Sequence, residues 1–182
     1  MTNPKDLPAN AMTPEGLTGM INSLKSATQQ IADDPRTSPE MRAQAQQGLA
    51  QFDGIEDQLQ QVVDIQFVKS LSQMSARCYS NSHAHGFWPK DYEPTATHNV
   101  GRNDGEAIAL KHSELSELLE AVRDGNPPSE KIPGFTLAEE ELADLLIRTM
   151  DYAHGRGFRL AEAVLAKHAY NLGRPHKHGR EF

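Results

Sequence analysis

Helix punctuation recurs along the whole of this 182-residue chain, and it restricts the fold more than any other feature. Thr13-Pro14-Glu15 and Ser38-Pro39-Glu40 each set an N-cap residue before a first-turn proline and a favourable acid. Asp33-Asp34-Pro35 breaks the chain between them, and from Met41 to about Phe67 a Gln- and Ala-rich run with spaced aliphatics suits a long amphipathic helix. Thr136 stands three residues before Glu139, the spacing of a capping box. No run of alternating β-branched residues bounded by turn signals competes with these patterns, so the chain is predicted to be all-α.

The organisation follows from the breaks. Residues 1–63 read as a helical N-terminal extension and 64–182 as the main domain. Between His83 and Arg102 the periodicity fails, and Gly86, Pro89, Pro94 and Gly101 describe an extended loop that carries Trp88. Three helices should follow: about 104 to 124, ended by Gly125-Asn126-Pro127-Pro128; Thr136 to near Gly155; and about 160 to the residues before Gly173 and Pro175. Gly155-Arg156-Gly157 reads as a helix stop.

Charge and cysteine content remove several function classes. Eighteen basic against 25 acidic residues leave a net charge of -7, which argues against stable nucleic-acid binding, although the stretch 174–180 (RPHKHGR) is locally basic. A single cysteine, Cys78, excludes an internal disulfide framework and a Cys-based zinc cage, and suits a reducing, cytoplasmic location. Residues 1–10 lack a basic stretch followed by an apolar run, and no aliphatic run is long enough for a membrane span. No G-x-x-x-x-G-K-[ST] occurs, which removes a P-loop NTPase. His83-x-His85 lacks the further ligands of a zinc site.

At 100° per residue, the helix from Asp104 groups Ile108, Leu115, Leu118, Leu119 and Val122 on one flank and leaves Glu114 and Glu117 at its margin, with Glu120 in solvent. The next helix groups Leu142, Leu145, Leu146, Thr149, Met150 and Ala153, with Glu141, Asp144, Arg148 and Asp151 on the opposite stripe. A short connection makes the two antiparallel neighbours. If the acidic stripes face each other, Glu114, Glu117, Glu141 and Asp144 converge, and four carboxylates cannot all stay ionised there without a cation. Hard oxygen donors select Mg²⁺, or Mn²⁺. Acids three apart on a helix are, on spacing alone, more commonly a solvated face or i,i+4 ion pairs.

Lys167, Asn171 and Arg174, at i, i+4 and i+7, share one face of the last helix. They suit phosphate oxygens, or else merely complement the helix dipole. Phe87 and Trp88 are either anchors of the bundle or a stacking platform for a base.

The segments HSELSELLE (112–120) and EEELADLLI (139–147) resemble the MazG-like nucleoside triphosphate pyrophosphohydrolases, an all-α family with an E-x-x-E helix and an E-x-x-D helix that bind magnesium. The resemblance covers about 64 to 180. It implies a four-helix bundle and matches Glu114 and Glu117 to the first motif and Glu141 and Asp144 to the second. It matches Lys167, Asn171 and Arg174 to a basic phosphate-binding end, and places Trp88 in a loop bordering the nucleotide. One departure is that Ser113 stands where the family often has a further acid.

The implied function is Mg²⁺-dependent hydrolysis of a nucleoside or deoxynucleoside triphosphate to the monophosphate and pyrophosphate. The alternatives are a catalytically silent helical interaction module and a phosphoribosyl-ATP pyrophosphohydrolase. An apolar flank left open by four helices, and the family's habit of association, imply a homodimer or dimer of dimers.

Overall fold

In the computed structural model, residues 14–97 and 100–175 are described. The Thr13 cap, residues 1–10 and most of the basic stretch 174–180 lie outside them. Among the described residues there are five helices and no strand: α1 Pro14–Asp33, α2 Pro39–Ala84, α3 Asp104–Arg123, α4 Leu137–Gly155 and α5 Leu160–Leu172. No helix among them is long and apolar enough to cross a membrane.

The caps operate as their chemistry dictates. The Ser38 hydroxyl accepts from the Met41 amide at 3.2 Å. Thr136 and Glu139 form a reciprocal capping box, and Asn103 accepts from the Glu106 amide at the start of α3. Asp34 makes the break before α2 by accepting from the backbone of Arg36. Where the sequence pattern put a loop from His83, α2 instead continues through it to Ala84. The stretch from Phe67 holds neither proline nor glycine, and Gly86, at φ +82°, is where the chain turns away.

Two compact units divide at Gln66/Phe67, inside α2. In the first, Ile21, Ala32 and Ala45 are buried, and Lys25 reaches both Asp53 and Glu56 at 2.6 Å. These carboxylates raise the Lys25 pKa, through hydrogen bonding with Asp53 first and Glu56 next.

In the second unit α3 packs on α4. The face of α3 that turns inward is Ala107, Glu114 and Ala121, one heptad apart, and not the aliphatic flank. Ile108, Leu115, Leu119 and Val122 are exposed, as are Leu142 and Leu146 of α4. Small residues let the two backbones approach, so Glu114 and Glu141 are buried while Leu115, Leu119, Leu142 and Leu146 face outward and Leu118 and Leu145 stay half-buried. α5 buries Ala161 and leaves most of its length exposed.

The loop before α3 is held from α4. Arg156 has 0% exposure. Its Nε donates to Asp104 at 2.8 Å, and its Nη groups donate to the Tyr92 hydroxyl and to the Val100 and Arg102 carbonyls at 2.7 to 2.8 Å. What reads locally as a helix stop is thus a buried staple across more than 50 residues. Gly155 beside it is required by contact: a Cβ there would lie 2.4 Å from the Trp88 ring.

Candidate metal centre

Glu114 comes from the inward heptad of α3, and Glu141 and Asp144 from the first half of α4. One ligand oxygen of each lies within 4.8 Å of the others. Glu114 and Glu141 are 3% and 4% exposed. Asp144 is half-buried. Glu141 Oε2 is buried and has no hydrogen-bond partner. An ionised oxygen in that state costs free energy unless something positive meets it. Burial raises the Glu141 pKa, with the charge of Glu117 the next cause. The donor set is all oxygen and tightly grouped, so a small hard divalent cation fits it.

Glu117 is exposed and stands outside this trio, although its charge is felt at Glu141. The tetrad expected from the motifs is therefore three grouped carboxylates with a fourth at the rim. The physical reason is phase: three residues on from Glu114 the helix surface has turned out of the α3–α4 seam.

Glu114 is also bound by Arg148, whose Nε lies 2.5 Å from Glu114 Oε1. A cavity of about 190 Å³ opens beside the trio, lined among others by Phe87, Arg102, Asp144, Arg148 and Asp151. Asp151 organises one wall by accepting from Trp88 Nε1 at 2.7 Å, Arg102 Nη1 at 2.8 Å and Ser82 Oγ at 3.1 Å. Lys111 lies with its Nζ 4.2 Å from the centre of the Tyr152 ring. Its pKa is lowered, by burial first and by the Arg102 charge next.

Trp88 is not the stacking platform that the loop pattern allowed. It is 1% exposed, stacks on Tyr92 with ring centres 4.7 Å apart and spends its N–H on Asp151. No face is left for a base, because the room made by Gly155 draws the indole inward. Its neighbour Phe87 is exposed and lines the cavity instead. Lys167 and Asn171 are exposed and Arg174 half-exposed. None of the three lines this cavity. Lys167 and Arg174 both lie against the Tyr170 ring, at 4.3 and 5.9 Å.

Sequence reasoning overlooked Arg102 and Arg156 and gave Asp151 no role. Asp151 was visible as the end of the Glu141–Asp144–Arg148 stripe. Arg102 and Arg156 sit in stretches without periodicity, and no local signal marks them. Of His83-x-His85, His83 lies in the last turn of α2 and His85 just beyond its end, where its Nδ1 lies 2.8 Å from the Asn81 carbonyl and the residue lines the cavity. No family model, no curated protein and no solved structure matches this chain.

Proposed function

We propose that the protein is a Mg²⁺-dependent pyrophosphohydrolase of nucleoside or deoxynucleoside triphosphates. The observation that carries the reading is the buried, unpartnered Glu141 Oε2 within a trio of carboxylates, of which Asp144 lines a cavity together with Arg102 and Arg148. The motif resemblance narrows that chemistry to nucleotides and adds Lys167, Asn171 and Arg174 as phosphate contacts.

Glu114, Glu141 and Asp144 hold the cation, with Glu117 close enough to adjust the charge. When bound, a divalent ion supplies Lewis acidity to phosphate oxygens and acidifies the attacking water. Arg148 fixes the Glu114 carboxylate by its charge-assisted bond, which sets the geometry of the trio. Asp151 holds Arg102 on the cavity wall. Phe87 offers the base an exposed ring, an arrangement in which stacking stabilises without reading base edges.

Pyrophosphate release from a panel of nucleoside triphosphates, deoxynucleoside triphosphates and phosphoribosyl-ATP, in Mg²⁺ and in EDTA, tests the reading. We expect Mg²⁺-dependent release of pyrophosphate with the monophosphate as co-product. Release from phosphoribosyl-ATP alone would move the protein to that activity, and no release from any substrate would leave a silent helical module.

The same reading takes the active form as a homodimer or dimer of dimers. Support comes from the outward leucines, since Leu115, Leu119, Val122, Leu142 and Leu146 put two adjacent helices' apolar surface in water. Light scattering at micromolar protein should give at least twice the chain mass of 20.1 kDa. The chain mass itself would show that these leucines do not drive association.

A further inference from the structure

The Arg148 guanidinium is engaged at one corner only. Its Nε is bound to Glu114, while Nη1 and Nη2 meet no acceptor among the described residues, and the side chain borders the cavity that Asp144 also lines. A planar fork with its outer donors unspent beside a carboxylate cluster is suited to a tetrahedral oxyanion. Arg102 supplies a second cation on the same wall, held there by Asp151.

The charge balance makes the site conditional. Glu114, Glu117, Glu141, Asp144 and Asp151 face Arg102, Arg148 and Lys111, an excess of two acidic over basic side chains that repels an anion. A divalent cation at the trio cancels that excess.

Resting on the metal reading above, we propose that this cavity is a cation-dependent subsite for a phosphate or diphosphate group, gripped by Nη1 and Nη2 of Arg148 with Arg102 as second contact. The residue that positions a metal ligand through Nε then also binds the anion through its outer nitrogens. Cation and anion are coupled through one side chain. The α5 residues Lys167 and Arg174 do not line this cavity.

The test separates the two layers. Mn²⁺ titration followed by the paramagnetic resonance of the free ion, without anion, reads the trio alone. Calorimetric titration of inorganic pyrophosphate, and in parallel of a non-hydrolysable nucleoside triphosphate analogue, in excess Mg²⁺ and in EDTA, reads the subsite. We expect pyrophosphate to bind in Mg²⁺ and not in EDTA, and Arg148→Met to weaken it about ten-fold or more. Arg148→Lys, which keeps the charge without the fork, should fall between. An equal Arg148→Met loss for pyrophosphate and analogue places the contact on the diphosphate itself. A loss for the analogue alone overturns a subsite for the free anion.

Circular dichroism checks the helical content, and Arg148→Lys carries the comparison if Arg148→Met fails to fold. Wild-type protein that binds Mn²⁺ while both Arg148 variants bind pyrophosphate as tightly as it does overturns the subsite alone. Wild-type protein that binds no Mn²⁺ overturns the metal centre and the subsite with it.

Discussion

Glu141→Gln, in EDTA at neutral pH, melts at the wild-type temperature or above it, and in saturating Mg²⁺ melts below it. The first half follows from the cost of burying an ionised carboxylate whose Oε2 has no partner and whose neighbours Glu114 and Asp144 carry the same charge. A neutral isostere removes both penalties. The second half is linkage: the wild type gains stability from the ion in proportion to its affinity, and the variant, short of one ligand, gains less. Pyrophosphate release should fall by orders of magnitude with helical content unchanged.

The same carboxyl sets a pH dependence. Its pKa is raised by burial and by the charge of Glu117. The metal-free wild type therefore holds the associated stability in full below the ordinary glutamate value and loses it as pH rises through the raised one. Glu141→Gln lacks this loss, so the gap between the two proteins in EDTA should be smallest in acid and open as pH rises. Mg²⁺ must displace the proton, so its stabilisation of the wild type grows over the same window. Melting curves of both proteins across that range, with EDTA and with Mg²⁺, decide the matter. A variant less stable in EDTA and equally responsive to Mg²⁺ would make Glu141 a structural partner.

Arg156→Met should cost about 3–5 kcal/mol of unfolding free energy, the range for removing one partner of a buried ion pair. The Asp104 carboxylate loses its guanidinium, and the Tyr92 hydroxyl and the carbonyls of Val100 and Arg102 lose their donor together. Methionine fills much of the volume, which confines the loss chiefly to polar satisfaction. Urea unfolding should show a lowered midpoint at an unchanged slope. Arg156→Lys should recover part of the loss, because a single ammonium keeps the charge but cannot span the same acceptors. A loss below about 1 kcal/mol, the worth of one ordinary hydrogen bond, would mean that the loop is held by its other contacts, such as Trp88 and Arg102 on Asp151 and the Tyr92 hydroxyl on the Gly155 carbonyl. The consequence reaches the cavity, because Arg102 is fixed by its carbonyl to Arg156 and by its side chain to Asp151.

The helices themselves were legible in the sequence. Ser38 and Thr136 satisfy amides within a turn of themselves, proline and glycine act on their own φ, and the absence of alternation excludes strands. All of these are local, and so a chain read without partners determined the all-α class, the starts of α2, α3 and α4 and the end of α5. The pairing of Glu141 with Asp144 was legible as well, because they lie within one helical turn, whereas Glu114 was expected to join them only if the two acidic stripes faced each other.

Tertiary structure decided which face of α3 turned inward, and in α4 it buried Glu141 and Asp151 together with Met150 and Ala153 of the apolar arc. Both α3 and α4 carry two candidate faces, one of leucines and one of carboxylates, and periodicity supplies the angle between them but not their direction. Ala107 and Ala121 settle it, since small side chains above and below Glu114 permit a close seam that the leucine flank cannot make. That same choice left Glu117 outside the trio. Trp88 finds Asp151 and Arg156 finds Asp104 across separations of 63 and 52 residues. No pattern within a few turns of chain encodes such pairs; they exist only once the loop has been folded back against the end of α4.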